Sequence, residues 1–270
     1  MAGRFAGSIA FVTNHPAGFR AGLVIAVDGP AGSGKSTAAR GVAHALGLRY
    51  LDTGSTYRAL TWWLLSRGVD VAEPDAVVTY LGRPVIEVGT DPAAPAIRVD
   101  GRDVARSIRT REVSNAVSAV ASIPQVRSHL VAMQQAIIAD ALAAGAGIVA
   151  EGRDIGTVVA PEAPVKVYLT ASETVRARRR TADLAADPGA TVAVTRAEQA
   201  RRDSSDAPQM AKAADAVEID TTGLDLDEVI GEILRLADGA YPGGRPPHTP
   251  PGAYPEGRPS HTRKAGAWTT

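Results

Sequence analysis

The chain has 270 residues and a mass of 27.9 kDa, room for one or two domains around a sizeable core. Hydrophobic residues make up 45% and charged residues 21%, and 29 basic residues balance 29 acidic ones, which argues against an unstructured polyelectrolyte or a histone-like nucleic-acid binder. Cysteine is absent, so there is no disulfide and no cysteine-ligated zinc. No apolar run reaches the roughly 18 residues that span a bilayer, and the expectation is a cytoplasmic protein without membrane or nucleic-acid partners.

Residues 1–22 are mixed and unpatterned. Ser8–Val12 is too short and too polar for the apolar centre of a secretory signal, so the segment reads as a disordered extension or an upstream start. Leu23–Asp28 is a short β-rich run followed by a glycine-rich loop. Lys35–Leu46 then reads as a helix that stops at Gly47. Pro84–Val104 alternates with period two around an Asp100-Gly101 turn and predicts a small antiparallel insert. Helices are expected over Glu112–Ser122 and over Pro124–Ala143, with Pro124 suited to a first turn.

Ile148–Glu151, Val165–Leu169 and Ala216–Asp220 are further short strands. Thr170 with Glu173 has capping-box spacing, and Thr195 with Glu198 and Asp225 with Glu228 repeat its acidic half. Strands alternating with helices predict a parallel α/β sheet covered on both faces. The last 31 residues carry seven prolines and a repeat of period 13, in which Ala240–Thr249 recurs as Ala253–Thr262. Such a segment cannot pack a core. It reads as an extended, solvated tail over 239–270, either idle or a weak partner-binding element.

Gly29-Pro30-Ala31-Gly32-Ser33-Gly34-Lys35-Ser36 matches G-x-x-x-x-G-K-[ST] at every fixed position, between an apolar strand and a helix. The glycines let backbone N–H groups surround phosphate oxygens, and the helix adds its positive dipole end. Lys35 would reach the β- and γ-phosphates of a nucleotide, and the Ser36 hydroxyl would ligate Mg²⁺, although the motif alone does not separate GTPase, ATPase and kinase. With Thr37, these residues form the expected donor site. No N-K-x-D motif for guanine exists, since the only asparagines are Asn14 and Asn115. Arginines recur at strand ends and on helix faces: Arg58, Arg127, Arg153, Arg176, Arg179, Arg180 and Arg202. Arg176, Arg179 and Arg180 are spaced three and four apart, as on one helical face. That is either an exposed basic face or a lid whose guanidiniums stabilise a transferring phosphoryl group. The five histidines fall in no catalytic pattern. A phosphate acceptor needs no general base, because its second pKa lies near 6 and it is already largely dianionic.

These residues resemble the bacterial cytidylate kinase family from about Leu23 to Ala237. The carriers are Asp28–Ser36, Leu51-Asp52-Thr53-Gly54-Ser55-Thr56-Tyr57-Arg58, Ile108–Val113, Glu151-Gly152-Arg153-Asp154-Ile155-Gly156-Thr157 and Ala213–Ala216. The resemblance implies a P-loop NTPase three-layer fold with a five-stranded parallel sheet. It also implies an NMP-binding insert at about 84–112 and a short helical lid at about 176–195, within a domain over 23–238. The implied reaction is ATP + (d)CMP ⇌ ADP + (d)CDP with Mg²⁺, by a monomer. Lys35, Arg153, Arg176, Arg179 and Arg180 would act in transfer. Thr53, Arg58 and Arg153 would hold the acceptor phosphate, Ser118, Arg127 and Asp154 would read cytosine, and Arg202 and Asp206 would sit near the sugar. After Asp206 the chain departs from the family pattern: it is several residues shorter, and Gln209 stands where an arginine is expected. The alternatives are a kinase for another acceptor such as UMP, against which Asp154 and Arg127 argue, and a catalytically weakened nucleotide-binding regulatory module.

Overall fold

The computed structural model describes residues 22–183, 189 and 191–240. The expected N-terminal extension up to 21, the tail from 241 and residues 184–188 and 190 of the expected lid lie outside the described residues. The central sheet holds β1 (Val24–Asp28), β2 (Arg49–Asp52), β6 (Ile148–Glu151), β7 (Val165–Thr170) and β8 (Val217–Asp220), all parallel, in the order β2-β6-β1-β7-β8. Val27 and Asp52 both register with Glu151, so β1, β2 and β6 end level with one another. That brings their following loops to one edge, where open α/β sheets bind ligands.

Alternation along β1 sends its side chains to two separate cores. Val24 and Ala26 pack with α2 (Thr53–Leu65), α4 (Arg111–Ala121) and α5 (Pro124–Ala143), around Leu60, Leu64, Leu130 and Ile137. Leu23, Ile25 and Val27 pack with α1 (Lys35–Leu46) and α8 (Leu226–Ala240), around Val42, Val229 and Ile233. Each buried valine, leucine or isoleucine contributes about 1.5–3 kcal/mol, so both faces hold the sheet between its helix layers.

α1 and α5 have the bounds the sequence predicts, and Gly47 is left-handed (φ 64°) as the stop of α1. The short helix α3 (Pro74–Thr79) precedes the insert, which is an antiparallel sheet of β3 (Ile86–Val88), β4 (Ile97–Val99) and β5 (Arg102–Asp103). Asp100 and Gly101 make its turn with positive φ at both positions. The insert also closes an edge of the central sheet: the Tyr50 N–H of β2 donates to the Thr90 carbonyl at 2.9 Å, and Arg40 Nε donates to the Pro92 carbonyl.

Three points need correction. β2 is a strand the sequence pattern does not reveal, because its four residues pair only with β6, nearly a hundred residues away. Thr170 does not cap a helix. It ends β7, its carbonyl accepts from Thr221 N–H, and α6 (Glu173–Asp183) begins three residues beyond it. Glu173 pairs with Arg196 instead. Thr195 is buried inside α7 (Val192–Asp206) against the Thr181 hydroxyl, while Thr191 caps that helix and Glu198 pairs with Arg111. Asp225 and Glu228 do form a reciprocal box, each side chain accepting from the other's backbone N–H at 2.9 and 2.8 Å. Asp225→Ala is expected to cost about 1 kcal/mol, read as a lower denaturation midpoint with an unchanged slope.

Candidate active site

At the carboxyl end of the sheet lies a cleft of about 300 Å³. Its floor is the glycine-rich loop between β1 and α1. Gly29 has φ +141°, and a Cβ there would overlap the Leu169 carbonyl of β7, so only glycine lets the chain leave the strand this way. Gly34 is left-handed (φ 93°) and starts α1, which turns the first helical amides toward the cleft. Lys35 is buried and its ammonium donates to the Pro30 carbonyl at 2.7 Å. Burial, followed by the charge of Arg153, pulls the Lys35 pKa down from its ordinary range. Ser36 Oγ donates to Glu151 Oε2 at 2.9 Å, and the Tyr50 hydroxyl donates to the other oxygen of Glu151. Glu151 is itself buried, and burial followed by the charge of Asp52 pushes its pKa up.

The opposite wall is built from arginine. Arg58 of α2 donates to the Ile108 carbonyl (3.1 Å) and to Ser114 Oγ (2.9 Å), both neutral acceptors. Burial, then the charges of Arg202 and Arg180, hold its pKa below the usual guanidinium range. Arg202 is depressed by burial and by Arg153, and its Nε is buried without a partner. Arg153, just past β6, donates to the Gly29 carbonyl at 2.8 Å and to Asp206 at 3.2 Å. Positive charge gathered with so few carboxylates is costly until an anion arrives. Thr53 at the start of α2 donates to the Glu151 carbonyl at 2.7 Å. A Cβ on Gly152 would come within 2.5 Å of the Thr53 hydroxyl, so the turn into Arg153 passes tight against α2.

Beside this wall, Arg127 of α5 is ion-paired with Asp154, and Ser118 of α4 donates to Asp206 at 2.8 Å. Asp28, at the end of β1, accepts from the backbone N–H groups of Ile155 and Gly156, both at 2.8 Å. These amides open a single π-helical turn, Ile155–Val159. Burial nevertheless raises the Asp28 pKa.

The structure therefore brings most of the sequence-predicted residues to one cleft: Ala31, Gly32, Gly34, Lys35, Ser36 and Thr37 on one side, Thr53, Arg58, Ser118, Arg127, Arg153, Asp154, Arg202 and Asp206 on the other, with Arg179 and Arg180 at the lid. Gly29, Pro30 and Ser33 shape the loop without lining the cleft. Arg176 is the exception among the lid arginines. It is buried at the base of α6 on Asp203 (2.5 Å) and the Ala31 carbonyl (3.1 Å), so it braces the loop instead of facing the cleft. Arg179 lines the cleft but donates to the Thr221 carbonyl and hydroxyl, while Arg180 reaches Ser114 Oγ at 3.4 Å. Gln209, in the short turn after α7, lies on the rim. Sequence reasoning assigned no site role to Asp28, Tyr50, Asp52, Tyr57, Arg109 or Glu151. Asp28 and Glu151 carried a signal, each being an acid that closes an apolar strand.

A glycine-rich phosphate-loop sequence faces a set of arginines over one sheet edge, the arrangement of a P-loop kinase. The particular kind follows from comparison: the family model "Cytidylate kinase" matches residues 25–239, and the chain belongs to the cytidylate kinase family. A cytidylate kinase of Streptomyces griseus is 49% identical over 224 residues, 82% of this chain and 94% of that protein. One of Rhodococcus opacus is 47% identical over 78% of this chain and 93% of its own length. Among solved structures, a shikimate kinase of Acinetobacter baumannii in complex with shikimate aligns with TM-score 0.41 and 15% identity, over 82% of this chain and 96% of that one.

Burial raises the Tyr50 pKa well above its ordinary value and Tyr57 to about 12. Both phenols ionise more easily in the unfolded chain, so their contribution to stability is lost as pH rises above about 10. Tyrosinate absorbance should accordingly develop in two phases in alkali, the later one coinciding with unfolding and diminished in Tyr50→Phe. A single phase in the folded protein would contradict the burial of these phenols.

Proposed function

We propose that the protein transfers the γ-phosphoryl group of ATP to CMP and dCMP, releasing ADP and the corresponding diphosphate. The observation that supports this most directly is the pairing of the phosphate loop with an arginine wall that ends in a preformed Arg127–Asp154 pair. ATP phosphates lie along the loop amides with Lys35 at the β/γ bridge. The acceptor phosphate lies against Arg58, Arg153 and the Thr53 end of α2, where its double charge relieves the crowding of guanidiniums. Among the described residues no histidine lines the cleft, and none is needed, since the attacking phosphate oxygen is already deprotonated. Arg153 touches both sides, through the Gly29 carbonyl and the arginine wall, which supports a role for it beside the group in transit. Arg180 closes over the same region from the lid.

Asp154 and Arg127 supply cytosine selectivity. The carboxylate accepts from the exocyclic amino group, and the guanidinium donates to ring N3 and O2. Uracil presents a carbonyl to the carboxylate and an N–H to the guanidinium, leaving two buried mismatches. Arg202 and Asp206 stand toward the sugar.

The Ser36 hydroxyl fits Mg²⁺: its proton is committed to Glu151, so its lone pairs face the cleft. Among the described residues no group of three or more His, Cys, Asp or Glu could hold a metal ion, which suits a cation carried mainly by phosphates and water. When bound, the ion neutralises charge building between the β- and γ-phosphates. Ser36 and Glu151 would be the protein's part of that site.

The test is ADP release from Mg-ATP with CMP, dCMP, UMP or AMP offered separately. CMP and dCMP should turn over fast, and UMP and AMP slowly. Turnover mainly with UMP or AMP would refute the assignment of Asp154 and Arg127. Absence of turnover with every acceptor would refute the kinase reading. Asp154→Asn should lower kcat/KM for CMP by about 100-fold or more and narrow the CMP-to-UMP ratio. An unchanged ratio would place base selection elsewhere.

A further inference from the structure

Arg109 lines the cleft but has no role in the account above. It ends the short 3₁₀ turn Ser107–Arg109 between the insert and α4. Its backbone is well anchored: Ile108 is 1% exposed, and the Ile108 carbonyl accepts from Arg58. Its side chain is not, being 54% exposed. Among the described residues its side chain pairs with Asp52 Oδ2, at 3.4 Å. That is long for a charge-assisted bond, which runs about 2.7–2.9 Å.

Asp52 holds a particular place. It closes β2, and its Oδ1 caps α2 by accepting from Ser55 N–H at 3.0 Å, which leaves Oδ2 as the oxygen facing Arg109. α2 is the helix whose first residue is Thr53 and whose next turn carries Arg58. The guanidinium is therefore parked at the mouth of the helix terminus where an anion would bind. A rim ion pair of this exposure contributes little, about 0.2–1 kcal/mol. A phosphate dianion offers two charges and bidentate geometry in the same place, and it outcompetes a single carboxylate.

We infer that Arg109 is a transferable clamp: parked on Asp52 while the acceptor site is empty, it moves to the acceptor's phosphate and closes the insert side of the cleft over it. Asp52 is then a positioning residue with two separable jobs, capping α2 through one oxygen and holding Arg109 back through the other. This rests on the reading that a phosphomonoester occupies the Thr53–Arg58 corner. Arg109 would become the arginine of that corner supplied by the turn that leads from the insert into α4.

The consequence is a pair of opposite effects. Arg109→Ala should weaken CMP binding, measured calorimetrically without ATP, by about tenfold, and Arg109→Lys should recover part of that loss. KM for ATP should stay within about twofold of the parent value. Asp52→Asn keeps a good cap, since asparagine serves there as well as aspartate, but removes the competing charge. It should tighten CMP binding a few-fold, and the gain should vanish when combined with Arg109→Ala. A merely structural role for either residue would not give effects of opposite sign that cancel in the double variant. Inorganic phosphate, titrated alone, separates this proposal from the choice of acceptor. If the parent protein fails to turn over CMP but Arg109→Ala still loses phosphate affinity, the nucleotide reading fails and the clamp stands. Unchanged affinity for both CMP and phosphate in Arg109→Ala, or weaker CMP binding in Asp52→Asn, overturns the clamp.

Discussion

Asp28 does not line the cleft, yet the cleft depends on it. Its two carboxylate oxygens bind the successive amides of Ile155 and Gly156 from the end of the central strand. The residues just before those amides are Arg153 and Asp154, the first aimed at the phosphate loop and the second at Arg127. One buried acid thus fixes the spacing between the site for phosphate and the site for a base. The same strand leads directly into Gly29, so a shift of β1 would move donor and acceptor elements together. Desolvating such a carboxylate is expensive, and two backbone hydrogen bonds offset the cost only in part. The rise in its pKa records what remains.

Around that frame the charges are deliberately unbalanced. Arg58 has only neutral acceptors, and Arg202 keeps a buried nitrogen without a partner. Arg127 and Arg153 are matched by Asp154 and Asp206. The matched arginines are held in fixed orientations by their carboxylates. The unmatched ones carry unfavourable burial, and an anion bound beside them, as proposed for the acceptor phosphate, would relieve it. Stability and binding are therefore set against each other here, and the two hydrophobic cores on either face of the sheet supply the margin.

How much of this could be read beforehand follows from the range of each interaction. The loop Gly29–Ser36, α1 and α5 depend on local spacing, and their bounds are legible. Arg58, Arg153 and Asp154 are legible as site residues through their motifs. β2 is not, because Arg49–Asp52 has charged ends and pairs only with β6, far along the chain. Thr170 has both the branched side chain of a strand residue and the hydroxyl of a cap. The Thr221 partner that decides for the strand is fifty residues away. Arg176 shares a helical face with Arg180 yet lies a full turn lower, where Asp203 of another helix captures it. The roles of Asp28, Glu151 and Arg109 exist only once separate strand ends are brought level. The departure at Gln209 is visible in the sequence, and the structure adds that it lies on the rim.

The contact between Tyr50 N–H and the Thr90 carbonyl has a consequence for how this architecture could be varied. β2 is an outer strand with a row of backbone groups open on one side, and such rows invite pairing with other chains. The insert meets that row at Tyr50, and the Arg40–Pro92 contact lies beside it, so the segment covers part of an otherwise open edge. A lineage that trimmed it to broaden acceptor choice would expose a sticky edge at the same time. Shortening would have to be accompanied by a new cover or by charge along β2, which makes the insert harder to lose than its place at the periphery suggests.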